Sequence, residues 1–143
     1  MTKEELNASC QFNIHNGIRI IEKSDGRCTV EVEITENAAN PYGTVHGGLL
    51  FSACDTAACV AAYDGGPFPV TQTGTLSFVR PGRGGTIRAE GRRSYSGKHS
   101  CVSHVDVYDE NRMLLATGEF VLVKNSHTHF IQGETGGQNC GEA

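Results

Sequence analysis

The 143-residue sequence predicts an α+β fold in which an antiparallel sheet of about six strands wraps around one long central helix. From Val45 onward, an apolar segment has a helical pattern of about five turns, and its lack of a polar face predicts a core helix that is buried on every side. Six other segments have strand patterns, and the short connections after the helix favour antiparallel pairing. We expect a single domain over residues 1–143, with its core at about 17–124 and a loose tail at 125–143.

The strand patterns occupy residues 18–23, 27–35, 70–79, 86–95, 99–109 and 114–124. The second of these alternates most cleanly, with Cys28, Val30 and Val32 between polar residues, so one of its faces is expected to meet water. Asp25-Gly26, just before it, is a strong hairpin turn signal. The last strand is apolar on both faces, with Leu115, Val121 and Val123 expected opposite Leu114, Phe120 and Leu122. We expect another subunit to cover part of it.

The N-terminal segment and the composition indicate a cytoplasmic protein that neither crosses a membrane nor binds nucleic acid. A short helix is predicted over residues 3–8, where Thr2 and Glu5 can form a capping box, and residues 1–10 lack the apolar run of a signal peptide. The six cysteines include no CxxC pair, so free thiols are expected. The formal net charge of −4 gives no support to general nucleic-acid binding.

The central helix contains two features that cost stability. Gly47 and Gly48 occupy its first turn, although glycine disfavours helix by roughly 1 kcal/mol per residue. Asp55 places a carboxylate among apolar residues, where an unpaired charge is costly, its pKa is raised and a membrane span is disfavoured. The bare N–H groups of the glycines suit an oxyanion, and the acid is a candidate base or nucleophile. Alternatively, the glycines only permit close packing and Asp55 meets a hydroxyl group.

The spacing of these two features along the helix limits how they can act together. Gly47 and Asp55 are eight residues apart, which is about 12 Å along a helix axis. One small reacting group cannot contact both within one chain, because reacting atoms lie about 3 Å from their catalytic partners. If both act on one substrate, the second must come from another subunit, as a symmetric dimer would supply.

The residues around the start of the helix form a pattern with four agreeing spacings. It comprises Asn40, Gly43, His46-Gly47-Gly48 and Asp55, followed by Ser77-Phe78-Val79-Arg80-Pro81-Gly82. Over about residues 17–124, the chain resembles hotdog-fold acyl-CoA thioesterases of the phenylacetate-pathway, or PaaI-like, type. The resemblance implies the hotdog architecture and an acyl-CoA substrate. We expect a homo-oligomer, a dimer or a dimer of dimers (tetramer), with active sites at the subunit interface and no cofactor.

The resemblance also implies roles for three residues around the thioester. Asp55 would be the catalytic carboxylate, and it would either attack the carbonyl itself or activate water. The Gly47 N–H would polarise the thioester carbonyl, helped by the positive end of the helix. Asn40 would lie near the carbonyl or the water, although a plain loop cap is an alternative role for this residue.

Two further catalytic assignments have explicit alternatives. His46 matches a histidine of the family, but a loop histidine can instead hold the neighbouring backbone. Thr71 lies where related thioesterases carry a serine or threonine that orients the water. Thr73 is close to it in sequence, and a bulge at Gly74 would exchange the two threonines.

A basic region in this acidic chain would suit anionic coenzyme A. Half of the twelve Lys and Arg residues lie at positions 80–98, where only Glu90 opposes them. Ser96-Gly97-Lys98 is the favoured phosphate contact, because a glycine turn exposes N–H groups beside a lysine. Arg80 could instead support the fold, and any single charge could belong to a solvated face. We assign to coenzyme A the residues Arg80, Arg92, Gly97 and Lys98.

No functional metal is expected, because His127-x-His129 stands apart from any other ligand cluster.

Two alternative functions are considered beside the thioesterase. A hydratase or dehydratase of the same fold would use His46 and Asp55 on the α- and β-carbons of an acyl thioester. A non-catalytic acyl-CoA binding or sensing domain is the other, and the cost of keeping Asp55 in an apolar helix argues against it.

Overall fold

The structure, a computed structural model, describes residues 1–127 and has the predicted order of strands around the central helix. Its elements are α1 (Lys3–Ser9), α2 (Gln11–His15), β1 (Ile18–Ser24), β2 (Arg27–Glu33), a 3-10 turn at Glu36–Ala38, α3 (Gly47–Ala62), β3 (Pro69–Phe78), β4 (Thr86–Ser96), β5 (Ser100–Tyr108) and β6 (Leu114–Lys124). The five-residue α2 was not predicted, because it is too short to show a helical period. The predicted tail falls largely on residues 128–143, outside the described residues.

The six strands form one antiparallel sheet in the order β1-β2-β4-β5-β6-β3. After β2 the chain runs through α3 and returns as β3 at the opposite edge, which places the helix across one face of the sheet. α3 contacts all six strands. The predicted architecture, a sheet wrapped around one helix, is therefore confirmed.

Small residues allow the helix and the sheet to approach closely. Gly91 on β4 faces the backbone of α3, where an added Cβ would lie 2.6 Å from the carbonyl oxygen of Ala57. The neighbouring carbonyl of Ala58 accepts a 3.0 Å hydrogen bond from the buried Ser103 hydroxyl on β5. The largest fully buried side chains of the core include Phe120, Ile87, Leu115, Leu122 and Val30.

Two expectations for the central helix are wrong. It begins at Gly47 rather than at Val45, with His46 as its N-cap. It is also not buried on every side within this chain, since Phe51 is 37% exposed. The sheet covers the helix from one side only. The open face of α3 consists of Gly48, Phe51, Ser52, Asp55 and Thr56.

The face assignment predicted for the last strand is also corrected. A β-bulge at Leu115 leaves this residue without a partner on β5, while Leu114 and Ala116 on either side are paired. Because Leu115 is the extra residue of the bulge, its side chain is buried in the core, on the same side of the sheet as Phe120 and Leu122. Burial of β6 by another subunit stays a prediction.

The predicted capping box and hairpin turn near the N-terminus are confirmed. The Thr2–Glu5 capping box is present at α1, and Gly26 in the β1–β2 turn has a φ of +70°. Among the described residues the five cysteines are free thiols, while Cys140 lies outside them. No helix within residues 1–127 combines the length and the apolar character that a bilayer span requires.

Candidate active site

Asp55 lies near the middle of α3, half-buried on its open face. Thr71 on β3 donates a hydrogen bond of 2.5 Å from its Oγ1 to Asp55 Oδ1. Burial raises the pKa of Asp55, and the Thr71 hydrogen bond partly opposes that increase. No lysine, arginine or histidine of the described chain forms an ion pair with it. The hydroxyl partner expected under the structural alternative is therefore present, and the raised pKa also suits a base or a nucleophile.

A bulge in β3 decides which threonine reaches Asp55. Thr71 pairs with Leu122 and Thr73 pairs with Val121, so Gln72 is the extra residue. The bulge is thus at Gln72 and not at Gly74. Gly74 instead marks a close approach, since an added Cβ would lie 2.7 Å from the Phe120 ring.

Of the two glycine N–H groups at the N-terminus of α3, one has no acceptor among the described residues. His46 Nδ1 accepts a 2.9 Å hydrogen bond from the Gly48 N–H, and the His46 N–H donates to the Ala38 carbonyl. The His46 side chain therefore caps the helix, which is the alternative role named for it. The Gly47 N–H has no acceptor within residues 1–127. The Phe78 ring lies against Gly47, 3.2 Å from where a Cβ would be.

Asn40 holds the loop that leads into the helix. Its Oδ1 accepts hydrogen bonds from the N–H groups of Tyr42 (3.0 Å) and Thr44 (3.1 Å). Its Nδ2 donates to Thr44 Oγ1 at 2.8 Å, which leaves the second amide hydrogen without an acceptor in the described chain. These contacts are those of a loop cap, and one donor remains for a ligand.

A cavity of about 370 Å³ opens beside the N-terminus of α3, lined in part by Asn40, Gly47, Leu50, Phe78 and Arg80. Asp55 and Thr71 do not line it. Because α3 is one continuous helix, Gly47 and Asp55 are separated by about 12 Å along its axis. The structure thus brings the predicted residues together as two groups, with Asn40 and Gly47 in one and Asp55 and Thr71 in the other.

Two cations of the basic region are neutralised by acids from outside it, so the expectation that only Glu90 opposes the region is wrong. Glu31 on β2 forms an ion pair with Arg88 at 3.2 Å, and Asp25 in the β1–β2 turn pairs with Arg93 at 2.7 Å. Glu90 itself pairs with Arg112, from the β5–β6 turn. These acids come from other strands and turns, so the local sequence does not reveal them. Four exposed cations in the region form no ion pair within the described chain, namely Arg80, Arg83, Arg92 and Lys98.

The four residues assigned to coenzyme A do not form one cluster within the chain. Arg80 lines the cavity at the N-terminus of α3. The turn with Gly97 and Lys98 lies near the C-terminal end of α3. Lys124 links the two places, because its N–H donates to the His99 carbonyl beside the turn and its Nζ pairs with Asp64, just beyond the helix. The Gly97 N–H donates to the Ser100 carbonyl at 2.8 Å. The turn therefore uses the N–H that was predicted to face phosphate.

Sequence reasoning missed one neighbour of the Asp55 site. Cys59 Sγ lies 3.3 Å from Thr71 Oγ1. A signal for it existed, because residues four apart on a helix share a face and Cys59 follows Asp55 by four positions. Residues 1–127 contain no group of three or more His, Cys, Asp or Glu side chains that could hold a metal, and His129 is outside the described residues.

Comparison with known proteins gives consistent matches. A family model described as the thioesterase superfamily matches residues 42–116. The acyl-coenzyme A thioesterase PaaI of Escherichia coli K12 is 32% identical over 101 residues, which cover 70% of this chain and 72% of that protein. The solved structure of Escherichia coli PaaI matches with a TM-score of 0.79 at 26% identity, over 87% of this chain and 96% of that one.

A Streptococcus mutans UA159 protein, solved bound to acetyl CoA, also shares the fold. Its TM-score is 0.71 at 24% identity, and the match covers 76% of this chain and 88% of that chain. The family model spans more than half of the sequence, and it includes the start of α3, Asp55 and Thr71. The chain therefore belongs to the thioesterase superfamily and has the hotdog fold of its PaaI-like members.

Proposed function

We propose that the protein is an acyl-CoA thioesterase, which uses water to convert an acyl-CoA into the free acid and the coenzyme A thiol. The observation that carries this proposal is Asp55, a half-buried carboxylate with a raised pKa on the open face of α3. A helix used only for packing gains nothing from such a group. The Escherichia coli relative named as an acyl-CoA thioesterase and the neighbour bound to acetyl CoA support the reaction and the carrier.

The Gly47 N–H is the proposed donor to the oxyanion that forms when the thioester carbonyl is attacked. It is free in the described chain, it lies at the positive end of α3, and it borders a cavity. The His46 cap takes up the Gly48 N–H, so the free donor is a single group. His46 and Asn40 contribute by holding the loop and the first turn in place, and the second amide hydrogen of Asn40 is available to the carbonyl or the water.

Asp55 would act as general base on water or as nucleophile on the carbonyl carbon, and Thr71 would orient the attacking group. As a base, Asp55 takes a proton from water while the hydroxide adds to the carbonyl. The C–S bond then breaks, and the proton on Asp55 passes to the departing thiolate, which restores the carboxylate. As a nucleophile, it forms an anhydride and releases the thiolate, and water then hydrolyses the anhydride. Both routes need the ionised carboxylate, so both need a pH above the raised pKa of Asp55.

We further propose that each active site combines two chains of a homo-oligomer, a dimer or a dimer of dimers. Within one chain, Gly47 and Asp55 are too far apart to meet one carbonyl. The outer edge of β3 pairs with no strand of the described chain, and Phe78 on it is 58% exposed. A second copy at this edge would cover the open face of α3, and the Gly47 of that copy would approach Asp55 of the first.

The proposed location of the protein is the cytoplasm.

Coenzyme A would bind through cations that have no acid partner. Arg80, Arg92 and Lys98 meet this condition in the described chain, and Gly97 shapes the turn that carries Lys98. Since Arg80 and Lys98 are at opposite ends of α3, one carrier would meet them on different chains. The hydratase or dehydratase alternative gains no support, because His46 Nδ1 already accepts from Gly48.

The proposal is tested by measuring free thiol released from a panel of aromatic and aliphatic acyl-CoAs. We expect turnover of at least one thioester by the wild type and its loss in Asp55→Asn, whose amide cannot act as base or nucleophile. Asp106→Asn is the matched control, because Asp106 also accepts a threonine hydrogen bond, from Thr117 at 2.6 Å, but on the sheet face away from α3. Binding of acyl-CoAs without thiol release would instead identify a binding domain.

A further inference from the structure

Cys59 is held against the hydroxyl group that contacts Asp55. It lies one turn after Asp55 on α3, it is 9% exposed, and its Sγ is 3.3 Å from Thr71 Oγ1. The same Oγ1 is 2.5 Å from Asp55 Oδ1. The Thr71 hydroxyl therefore lies between a thiol and a carboxylate, both presented by one helix.

Counting protons fixes the direction of these two hydrogen bonds. Thr71 has one hydroxyl proton, and an ionised Asp55 can only accept, so this proton is donated to Asp55. The contact with Cys59 must then use a lone pair of Thr71 Oγ1, so the thiol is the donor. Burial raises the pKa of Cys59 to about 12, and the thiol consequently keeps its proton at neutral pH.

The backbone of β3 gives an independent reason why Thr71 needs such support. Gln72, the next residue, is the extra residue of a β-bulge, and a bulge interrupts the regular ladder. A threonine side chain can place its hydroxyl in more than one rotamer. Close contact with Cys59 and Asp55 selects the rotamer in which the hydroxyl faces the helix.

We propose that Cys59 is a positioning residue, whose thiol donates to Thr71 Oγ1 and thereby holds the Thr71 hydroxyl on the carboxylate of Asp55. It acts through Thr71 and does not touch the substrate. The catalytic consequence rests on the proposed thioesterase function, but the hydrogen-bond chain can be tested without any substrate. The other titratable group of α3 that interacts with Asp55 is Cys54, which makes no hydrogen bond to Thr71.

The first test is an NMR titration of the Asp55 carboxyl group in the wild type and in Cys59→Ala, Cys59→Ser, Thr71→Val and the double variant Cys59→Ala/Thr71→Val. The Thr71 hydrogen bond lowers the pKa of Asp55, so weakening it in Cys59→Ala should raise that pKa further. Cys59→Ser keeps a donor and should restore most of the wild-type value. In the Thr71→Val background, Cys59→Ala should have a clearly smaller effect.

The second test is steady-state kinetics on the best thioester. Cys59→Ala should lower kcat by roughly 3- to 10-fold, as expected for one neutral hydrogen bond, with little change in KM, and Cys59→Ser should recover most of it. Cys54→Ala is the matched control, since it also removes a buried thiol from α3 and should leave kcat unchanged. Thermal unfolding of all variants checks that they are folded.

The outcomes of the two tests separate this inference from the proposed function. An Asp55 pKa that is unchanged in Cys59→Ala, or shifted equally with and without the Thr71 hydroxyl, would overturn the role of Cys59. A wild type without turnover of any acyl-CoA would overturn the proposed function, and the titration would still decide whether Cys59 holds Thr71.

Discussion

The Thr71 hydroxyl and the Asp55 carboxylate are sixteen residues apart in sequence and meet at 2.5 Å across the contact between β3 and α3. This hydrogen bond is the main interaction that favours the ionised form of a carboxylate whose pKa is raised by burial. The acid is thus kept in a position that is unfavourable for folding. The first prediction follows from this conflict.

Asp55→Asn should raise the melting temperature at pH 7 and lose that advantage in acid. The pKa of Asp55 in the folded protein lies above its ordinary value of 3.8. Protonation of Asp55 therefore stabilises the fold, and this stabilisation is complete below pH 3.8 and is lost as the pH rises through the folded-state pKa. The gain in melting temperature over the wild type should therefore shrink as the pH falls from 7 towards 3.8. Thermal unfolding of both proteins across this pH range measures the gain. A gain that does not depend on pH would contradict the raised pKa of Asp55.

Two inactive variants should restore activity together if each site combines two chains. Asn40→Ala loosens the loop before Gly47, and Asp55→Asn removes the carboxylate, so each alone should be nearly inactive. In a mixed dimer, one site carries both changes and the other carries neither. Random pairing makes about half of the dimers mixed, so roughly a quarter of wild-type activity should return on co-expression. Mixed dimers verified by mass spectrometry but without activity would exclude the composite site.

Arg92→Ala and Lys98→Ala should raise KM for acyl-CoA and have much less effect on a thioester that lacks the nucleotide. Both cations are exposed and have no acid partner in the described chain, so the effect should weaken as salt is added. Arg88→Ala is the matched control, because Arg88 is on the same strand as Arg92 but is paired with Glu31. Steady-state kinetics on both substrates decides the matter. Equal losses on the two substrates would assign the cations to structural support.

Gly91→Ala should destabilise the fold, because the new methyl group would lie 2.6 Å from the Ala57 carbonyl oxygen. The methyl group is attached to the backbone of β4, and the oxygen belongs to the backbone of α3, so neither can rotate away. β4 and α3 must therefore separate, which should lower the free energy of unfolding by about 1–3 kcal/mol. Gly66→Ala is the control, since its added Cβ would meet only the Asp64 side chain at 3.4 Å. Chemical denaturation of the two variants should show a large loss for the first alone. Similar stabilities would mean that helix and sheet are less tightly packed than the structure indicates.

Short-range physics made much of this protein predictable from its sequence. The Thr2–Glu5 capping box, the Asp25-Gly26 turn and the alternation in β2 depend on residues within a few positions of one another, so the chain displays them directly. The acid in an apolar helix was equally visible as a conflict between residue type and surroundings. The eight-residue spacing from Gly47 to Asp55 already required two groups of site residues.

Only the tertiary structure decided which distant residues meet. Glu31 neutralises Arg88 because β2 and β4 are neighbours in the sheet, and no local pattern reveals this pairing. One extra residue at Gln72 decides that Thr71, and not Thr73, faces Asp55, and it also brings Thr71 to Cys59. A bulge moves the following side chains of a strand to the opposite face, but a single extra residue leaves little trace in the sequence pattern. Caps, turns and alternation can be predicted because they follow from local hydrogen bonds and from the period of each element.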